Sequence, residues 1–412
     1  MAFAQLDAPR AARSLLTASA VRERAGRMLD LGLDGKLAAF TVDMDRLPAA
    51  ADLVVEVIRA NYPSLDVPFH ARWRHFVAGG RDLGREALGA IADPAERGRT
   101  AFDLAIVSVL LDAGAGMGWR YRDAATGLDM SKSEGLAVAS LRMAEAGAFA
   151  DDGRSLRVDA ARLAAIGPAD IARGFQAGDD NPLGGVDGRL QLLSRLGQAA
   201  GANPAVFGMN DTPRPGGLFD HLVARAEAGR LPASAILAAV LAHLGPIWPS
   251  RITLGGIALG DTWRHPLMTA GDASDGLIPF HKLSQWLSYS LIEPLEWSGL
   301  AVTGIDGLTG LPEYRNGGLF VDMGVLGLRD PAAAEAANTV DSTLVVEWRG
   351  LTVALLDRIA PLVRERLGLA AEAFPLARVL EGGTWSAGRR LAREKRSDGG
   401  PPIRVVSDGT VF

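Results

Sequence analysis

The chain contains no cysteine among its 412 residues, which excludes disulfides, thiolate nucleophiles, iron–sulfur clusters and zinc ribbons. Histidine is scarce, and its spacing offers no metal site. His70 and His75 are five residues apart and no His-Glu-x-x-His occurs, so no metal is expected unless distant carboxylates converge. An excess of basic charge is also missing. The formal net charge is −5, so neither nucleic acid nor an anionic membrane is an expected partner. Long apolar runs are absent too. The longest, Leu231 to Trp248, contains His243 and is interrupted by Gly245-Pro246, and it reads as a buried helix instead of a membrane span. Met1 to Leu16 carries Asp7, Arg10 and Arg13 without an apolar core, so no secretory signal is expected there and a cytoplasmic location follows.

What is present is a globular composition, 48% hydrophobic and 22% charged, with ample material for a core. Helix signals dominate. Asp93-Pro94 reads as an N-cap followed by proline at the first helical position, and Phe102 to Leu111 continues it as an almost wholly apolar helix. Ser131 with Glu134 fits a capping box opening a helix to about Phe149. Pro232 precedes a helix over 233–244. Pro279 is expected to start one carrying Phe280, Leu283, Trp286, Leu287 and Leu291 on one face. Asn338 to Leu367 reads as a long helix with a mixed surface. Strand candidates are few: Leu37 to Val42, a hairpin within Arg251 to Trp263 around Gly255-Gly256, and a short apolar end at Ile403 to Val406. The βαβα alternation of a doubly wound sheet is missing. The expected fold is mainly α, a compact multi-helix unit over 1–412 with small β additions, and the loop-rich 178–217 stretch is the candidate subdomain boundary.

Several motifs carry chemistry only in part. Gly114-x-Gly116-x-Gly118 imitates a dinucleotide loop, but position 119 is Trp and the preceding run is helical. A glycine-rich helix end lining a pocket with Trp119, Arg120 and Tyr121 is the better reading. Thr384-Trp385-Ser386-Ala387-Gly388 imitates a serine-hydrolase elbow without its first glycine or its strand, so Ser386 reads as a helix-start residue. Phe69 to Phe76 packs Phe69, His70, Arg72, Trp73, Arg74 and His75 after a proline. It offers stacking faces for a heterocycle and guanidinium forks for phosphate, or else an ordinary amphipathic helix. In Leu311 to Gly318, Glu313 stands beside Tyr314 and Arg315 on irregular backbone. Its carboxylate is a candidate base or cation stabiliser, and the alternative is an exposed ion pair on a surface turn. Glu347 and Arg349 lie on the long helix, where they cannot closely share a face.

Together, Phe69 to Phe76, Val109 to Tyr121, Ile278 to Leu291, Leu311 to Asp322, Glu347 to Asp357, Gly382 to Arg389 and the closing Ser407 to Phe412 resemble the uracil-catabolism protein four family over nearly the whole chain. That resemblance implies a role in breaking down uracil by way of its nucleotide. A more distant one is to the queuosine salvage hydrolases, which carry Phe-Tyr-Lys, Asp-Tyr-Arg-Val-Pro-Gln and Glu-Ile-Arg-Ala in that order. This chain has Phe280-His281-Lys282, Glu313-Tyr314-Arg315 and Glu347-Trp348-Arg349-Gly350. Those hydrolases cleave the N-glycosidic bond of a nucleoside 5′-phosphate and are similar in fold to DNA glycosylases. Here Glu replaces Asp, Asn-Gly-Gly replaces Val-Pro-Gln, and Trp348 and Gly350 replace Ile and Ala.

The resemblance implies a hydrolase of a uridine-derived ribosyl 5′-phosphate, such as ribosylurea phosphate. Its partner is then a small nucleotide or ribosyl phosphate, and such a hydrolysis needs no cofactor. Glu313 would stabilise the oxocarbenium charge at C1 and orient water. Lys282 and Arg315 would meet the 5′-phosphate, and the Phe69, His70, Trp73 and Arg74 cluster would hold the base. Asp112, Trp119, Glu347, Arg349 and Trp385 would line the pocket, with His281 or Tyr314 as candidate leaving-group acids. An amide or ureide hydrolase of the opened ring, or a non-catalytic partner of a pathway enzyme, are the alternatives.

Overall fold

A computed structural model describes residues 7–112, 114–116, 118–208 and 212–406, so Ser407 to Phe412 lies outside the described residues. Among these residues the fold is mainly α, with strands only in two-stranded pairs, as expected from the sequence. The chain forms two units that interleave in sequence. The first comprises Met1–His70, Ser250–Trp286 and Gly304–Phe412, and the second Ala71–Pro249 and Leu287–Thr303. The 178–217 stretch lies within the second unit.

The first unit is organised on the helix Thr343–Leu367. Ser342 caps it by accepting from Val345 N at 3.3 Å, and Gly368, at φ 71°, ends it in the left-handed conformation. Arg364 and Arg366 sit in its last turn, where the helix dipole favours cations. The mixed surface expected of it holds only in its C-terminal half, where Arg358, Pro361 and Glu365 are exposed; from Leu344 to Leu356 every residue is buried, charged ones included. Such a helix must be enclosed, and Ala18–Leu33 and Leu47–Asn61 pack on it. Each fully buried Leu, Val or Ile there contributes about 1.5–3 kcal/mol. The helix starts at Thr343 and not at Asn338, because Asn338–Thr339 pairs in parallel with Val405–Val406. Phe40–Val42 pairs antiparallel with Leu326–Leu328, and Thr253–Leu254 with Ile257–Ala258 across the expected Gly255-Gly256 turn.

Pro279 does not start a helix. It ends a strand, Leu277–Pro279, paired with Thr262–Arg264, and the helix runs from Lys282 to Trp297. Between them His281 adopts φ 50°, a left-handed turn rare for a side-chain-bearing residue, which breaks any helix begun earlier.

In the second unit, Pro94–Leu110 is buried without a break from Thr100 onward, and Asp93 caps it as expected by accepting from Ala95 N and Glu96 N, both at 3.2 Å. It packs against Lys132–Glu145 and Gly217–Val223. Ser131 occupies the N-cap position of Lys132–Glu145, but its side chain makes no capping bond, and the helix stops at Glu145, short of Phe149. The apolar Leu231 to Trp248 run contains the helix Ala233–His243 and a 3-10 turn at Gly245–Ile247. No helix among the described residues is long and apolar enough to cross a membrane.

Candidate active site

Glu313 is not the exposed turn residue that the local sequence by itself favours. It is 9% exposed and is the N-cap of Tyr314–Asp322. Its carboxylate accepts from Arg315 N at 2.7 Å and from Asn316 N. One oxygen serves each donor, and a carboxylate has about four acceptor positions, so each oxygen keeps capacity for a water or hydroxyl. Burial raises its pKa above the usual glutamate range, against the two backbone N–H groups and the electrostatic pull of Lys282 and His70. A buried carboxylate held on amides and faced by cations can meet positive charge developing at carbon without reorganising.

Close helix packing fixes this cap. A Cβ on Gly388 would lie 2.0 Å from Arg315 O, and one on Gly317 would lie 2.7 Å from the Trp348 indole nitrogen. Asn316 ties the region together by donating to Leu311 O at 3.2 Å and accepting from Thr384 Oγ1 at 2.8 Å. Thr384 ends a π-helical turn, Leu380–Thr384, set between the helices Leu376–Val379 and Trp385–Lys395. Such turns are uncommon and frequently occur at functional sites. Gly383 permits this one: a Cβ there would come within 2.4 Å of Val54. Ser386 is not at a helix start: the helical run is continuous from Leu376 to Lys395 through the π turn, and Thr384 before it is itself helical and makes no side-chain cap.

The turn presents Glu381, whose Oε2 is 2.7 Å from His70 Nδ1. The His70 backbone N–H donates to Ala377 O at 3.0 Å, one helical turn before Glu381. His70 also lies 6.5 Å from the Trp385 ring. Arg378 covers the Phe69 ring at 5.3 Å and Arg389 the Trp385 ring at 5.2 Å. Arg315 covers Tyr314 at 4.7 Å and donates to Gly399 O at 2.9 Å. Aromatic faces and cations therefore accompany Glu313.

The Phe280-His281-Lys282 and Glu347–Arg349 segments join through Asp261, a residue with no local sequence signal. Asp261 holds Arg349 by two contacts of 2.7 Å, and accepts from Lys282 N at 2.9 Å and Trp263 Nε1 at 2.6 Å. Its own carbonyl accepts from Phe280 N. Arg349 also lies over the Phe280 ring at 4.2 Å. These cationic and N–H partners overcome burial and hold the Asp261 pKa down at about 2. The first turn of the Lys282 helix is thus positioned by a buried ion pair. His281 is fully enclosed, with Nε2 2.9 Å from Leu15 O, and burial lowers its pKa. Glu347 and Arg349 do face apart, and neither is solvated. The Glu347 carboxylate accepts from Ala38 N and Ala39 N, each at 2.9 Å, with His265 Nε2 at 3.2 Å.

Phe69 to Phe76 is not one element. Phe69 and His70 belong to the first unit, and Arg72–Phe76 is a 3-10 helix of the second. There Trp73 is fully buried, donating to Ser290 O at 2.8 Å, and Arg74 pairs with Glu293 at 2.8 Å. Asp112 pairs with the buried Arg72 at 2.9 Å, and Trp119 is enclosed with its indole on Phe175 O at 2.9 Å. Of the sequence candidates, the structure gathers Phe69, His70, His281, Lys282, Glu313, Tyr314, Arg315, Glu347, Arg349 and Trp385 in the first unit, and Trp73, Arg74, Asp112 and Trp119 in the second. Asp261, Glu381, Arg378 and Arg389 join the first group. Only the Gly382-Gly383 pair, unusual inside a helical run, hinted at any of them. No group of three or more His, Asp or Glu suited to a metal ion occurs among the described residues.

The fold and site define a mainly helical protein built around a buried, helix-capping carboxylate with cationic neighbours. The chain belongs to the family described as protein of unknown function (DUF1688), matched over residues 14–412, which is the uracil-catabolism protein family. It is 38% identical to "Protein urg3" of Schizosaccharomyces pombe, covering 97% of this chain and 98% of the relative. It is 37% identical to "Uracil catabolism protein 4" of Lachancea kluyveri, covering 96% and 97%.

Proposed function

We propose that this protein acts in uracil breakdown by hydrolysing the N-glycosidic bond of a uridine-derived ribosyl 5′-phosphate, such as ribosylurea phosphate. The pathway is supported by the name of the Lachancea kluyveri relative. The reaction is supported by one observation above all: Glu313 is buried, held by two backbone N–H groups, and within the electrostatic influence of Lys282 and His70. As the C1–N bond lengthens, positive charge grows on the ribose, and the Glu313 carboxylate stabilises it and takes a proton from the attacking water. Lys282 and Arg315 supply positive charge for the 5′-phosphate, and Phe69 and Trp385 supply faces for the departing base or ureide. Water adds across the bond, giving ribose 5-phosphate and the free nitrogen compound. A non-catalytic binding partner would leave Glu313 exposed or outside the reach of Lys282, and the burial and coupling of Glu313 favour the hydrolase instead.

The test is to incubate purified protein with ribosylurea 5′-phosphate and with uridine 5′-phosphate and to follow release of urea or uracil. Turnover of at least one is expected, with Glu313→Gln lowering kcat by about 10²–10³, in the range found for losing one transition-state electrostatic contact. A folded wild-type protein that turns over neither removes the reading.

A further inference from the structure

Urea is a poor leaving group as an anion, so cleavage of a ribosylurea at C1 calls for a proton on the departing nitrogen. We propose that His70, oriented by Glu381, is the acid that delivers it. This rests on the hydrolase reading above and adds the second half of its acid–base pair.

The geometry is specific. A carboxylate only accepts, so the 2.7 Å contact assigns the proton on Nδ1 to the bond with Glu381 Oε2 and leaves Nε2 to exchange its proton elsewhere. The backbone of His70 is anchored to the same helical run, because its N–H is bonded to Ala377 O, one turn before Glu381. Neither side chain is sealed off: His70 is 12% and Glu381 18% exposed, which leaves an approach for a ligand. Trp385 flanks the imidazole, and the field of His70 reaches the Glu313 carboxylate. Glu381 thus positions an imidazole that shares a site with the carboxylate proposed to meet the sugar cation.

The other candidates are less suited. The Nε2 of His281 is engaged by Leu15 O inside the core. Tyr314 is exposed, and local desolvation raises its phenol above the ordinary value, making it a weaker acid at neutral pH.

The step balances. Protonated His70 passes its Nε2 proton to the nitrogen as the C1–N electron pair leaves with the ureide. The water oxygen bonds to C1 and gives one proton to Glu313. His70 ends neutral and Glu313 protonated, and exchange with solvent restores both.

Two probes separate the proton donor from the rest of the site: ribosylurea 5′-phosphate, which needs leaving-group protonation, and 4-nitrophenyl riboside 5-phosphate, which does not. His70→Gln is expected to lower kcat/KM on the first by about 10²–10⁴, the usual contribution of a general acid, and to leave the second within about tenfold. Glu381→Gln is expected to shift the ratio in the same direction by less, and Glu381→Asp to restore part of it. Glu313→Gln is expected to lower both. The ratio within one variant does not depend on how much of it is folded. Equal losses on both probes in His70→Gln, or undiminished turnover of ribosylurea phosphate, overturns the His70 assignment while leaving the hydrolase standing. A wild-type protein inactive on both probes overturns both.

Discussion

Asp261 grips Arg349 through both carboxylate oxygens, each contact 2.7 Å long, while one of those oxygens also receives the backbone N–H of Lys282. A buried ion pair thereby starts the helix that carries a candidate phosphate-binding lysine. Removing one partner strands the other charge in the interior. Asp261→Ala is expected to destabilise the protein by about 3–5 kcal/mol, measured by urea denaturation. A loss below about 1 kcal/mol would mean that water or a neighbour replaces the pair.

The same residue sets an acid limit on stability. Its folded pKa of about 2 lies below the unfolded value of about 3.9. The ionised form is therefore favoured by folding, and the stabilisation is present above the unfolded value and lost as pH falls toward 2. The window is about pH 5 to 2 and the contribution is on the order of 2 kcal/mol. Asp261→Asn is expected to flatten the fall in urea midpoint across that window, and an unchanged slope counts against the assignment.

Glu313 has the opposite sign. Burial raises its folded pKa, so its ionisation opposes folding as pH climbs from the unfolded value of about 4.3 through the folded one. Its proposed task needs the carboxylate. The rise of kcat/KM with pH should therefore have a midpoint above the usual glutamate range. Lys282 favours the charged form, so Lys282→Met is expected to move that midpoint further up. A midpoint unmoved in Lys282→Met would separate the two residues.

Gly388 lets two helices touch. With a Cβ 2.0 Å from Arg315 O, Gly388→Ala must push Tyr314–Asp322 away from Trp385–Lys395. The expected cost is about 1–3 kcal/mol by denaturation, with a loss of turnover larger than the loss of folded protein, because Glu313 caps the displaced helix.

In the second unit, His221 and His243 meet edge to face at 4.7 Å, and burial with Arg225 nearby pushes His221 down to about 4. A histidine depressed below its unfolded value of about 6.5 stabilises the fold above that value and loses the contribution as pH falls toward 4. His221→Gln is expected to reduce the acid slope of thermal stability between about pH 6.5 and 4. Differential scanning calorimetry across that range decides it, and a slope equal to the wild type excludes His221 as the cause.

Local chemistry was enough for some features and not for others. Asp93-Pro94 declares a helix start because capping and the fixed proline φ act within one turn. Gly255-Gly256 declares a hairpin because both residues adopt positive φ, 55° and 78°. The mainly α class, and the order of the Lys282, Glu313 and Arg349 segments that carries the resemblance, were also legible in the chain itself. Where Pro279 misled, the cause was a strand partner, Thr262–Arg264, that periodicity cannot see.

The site depended on tertiary structure. Nothing near Asp261 in sequence announces Arg349, 88 residues away, and nothing near His70 announces Glu381, 311 residues away. Whether Glu313 was a solvated turn or a buried cap turned on how closely Gly388 lets another helix approach Arg315, a separation of ångströms between distant segments. Burial and charge proximity decide whether a carboxylate does chemistry, and both are properties of chain segments brought together, not of any one of them alone.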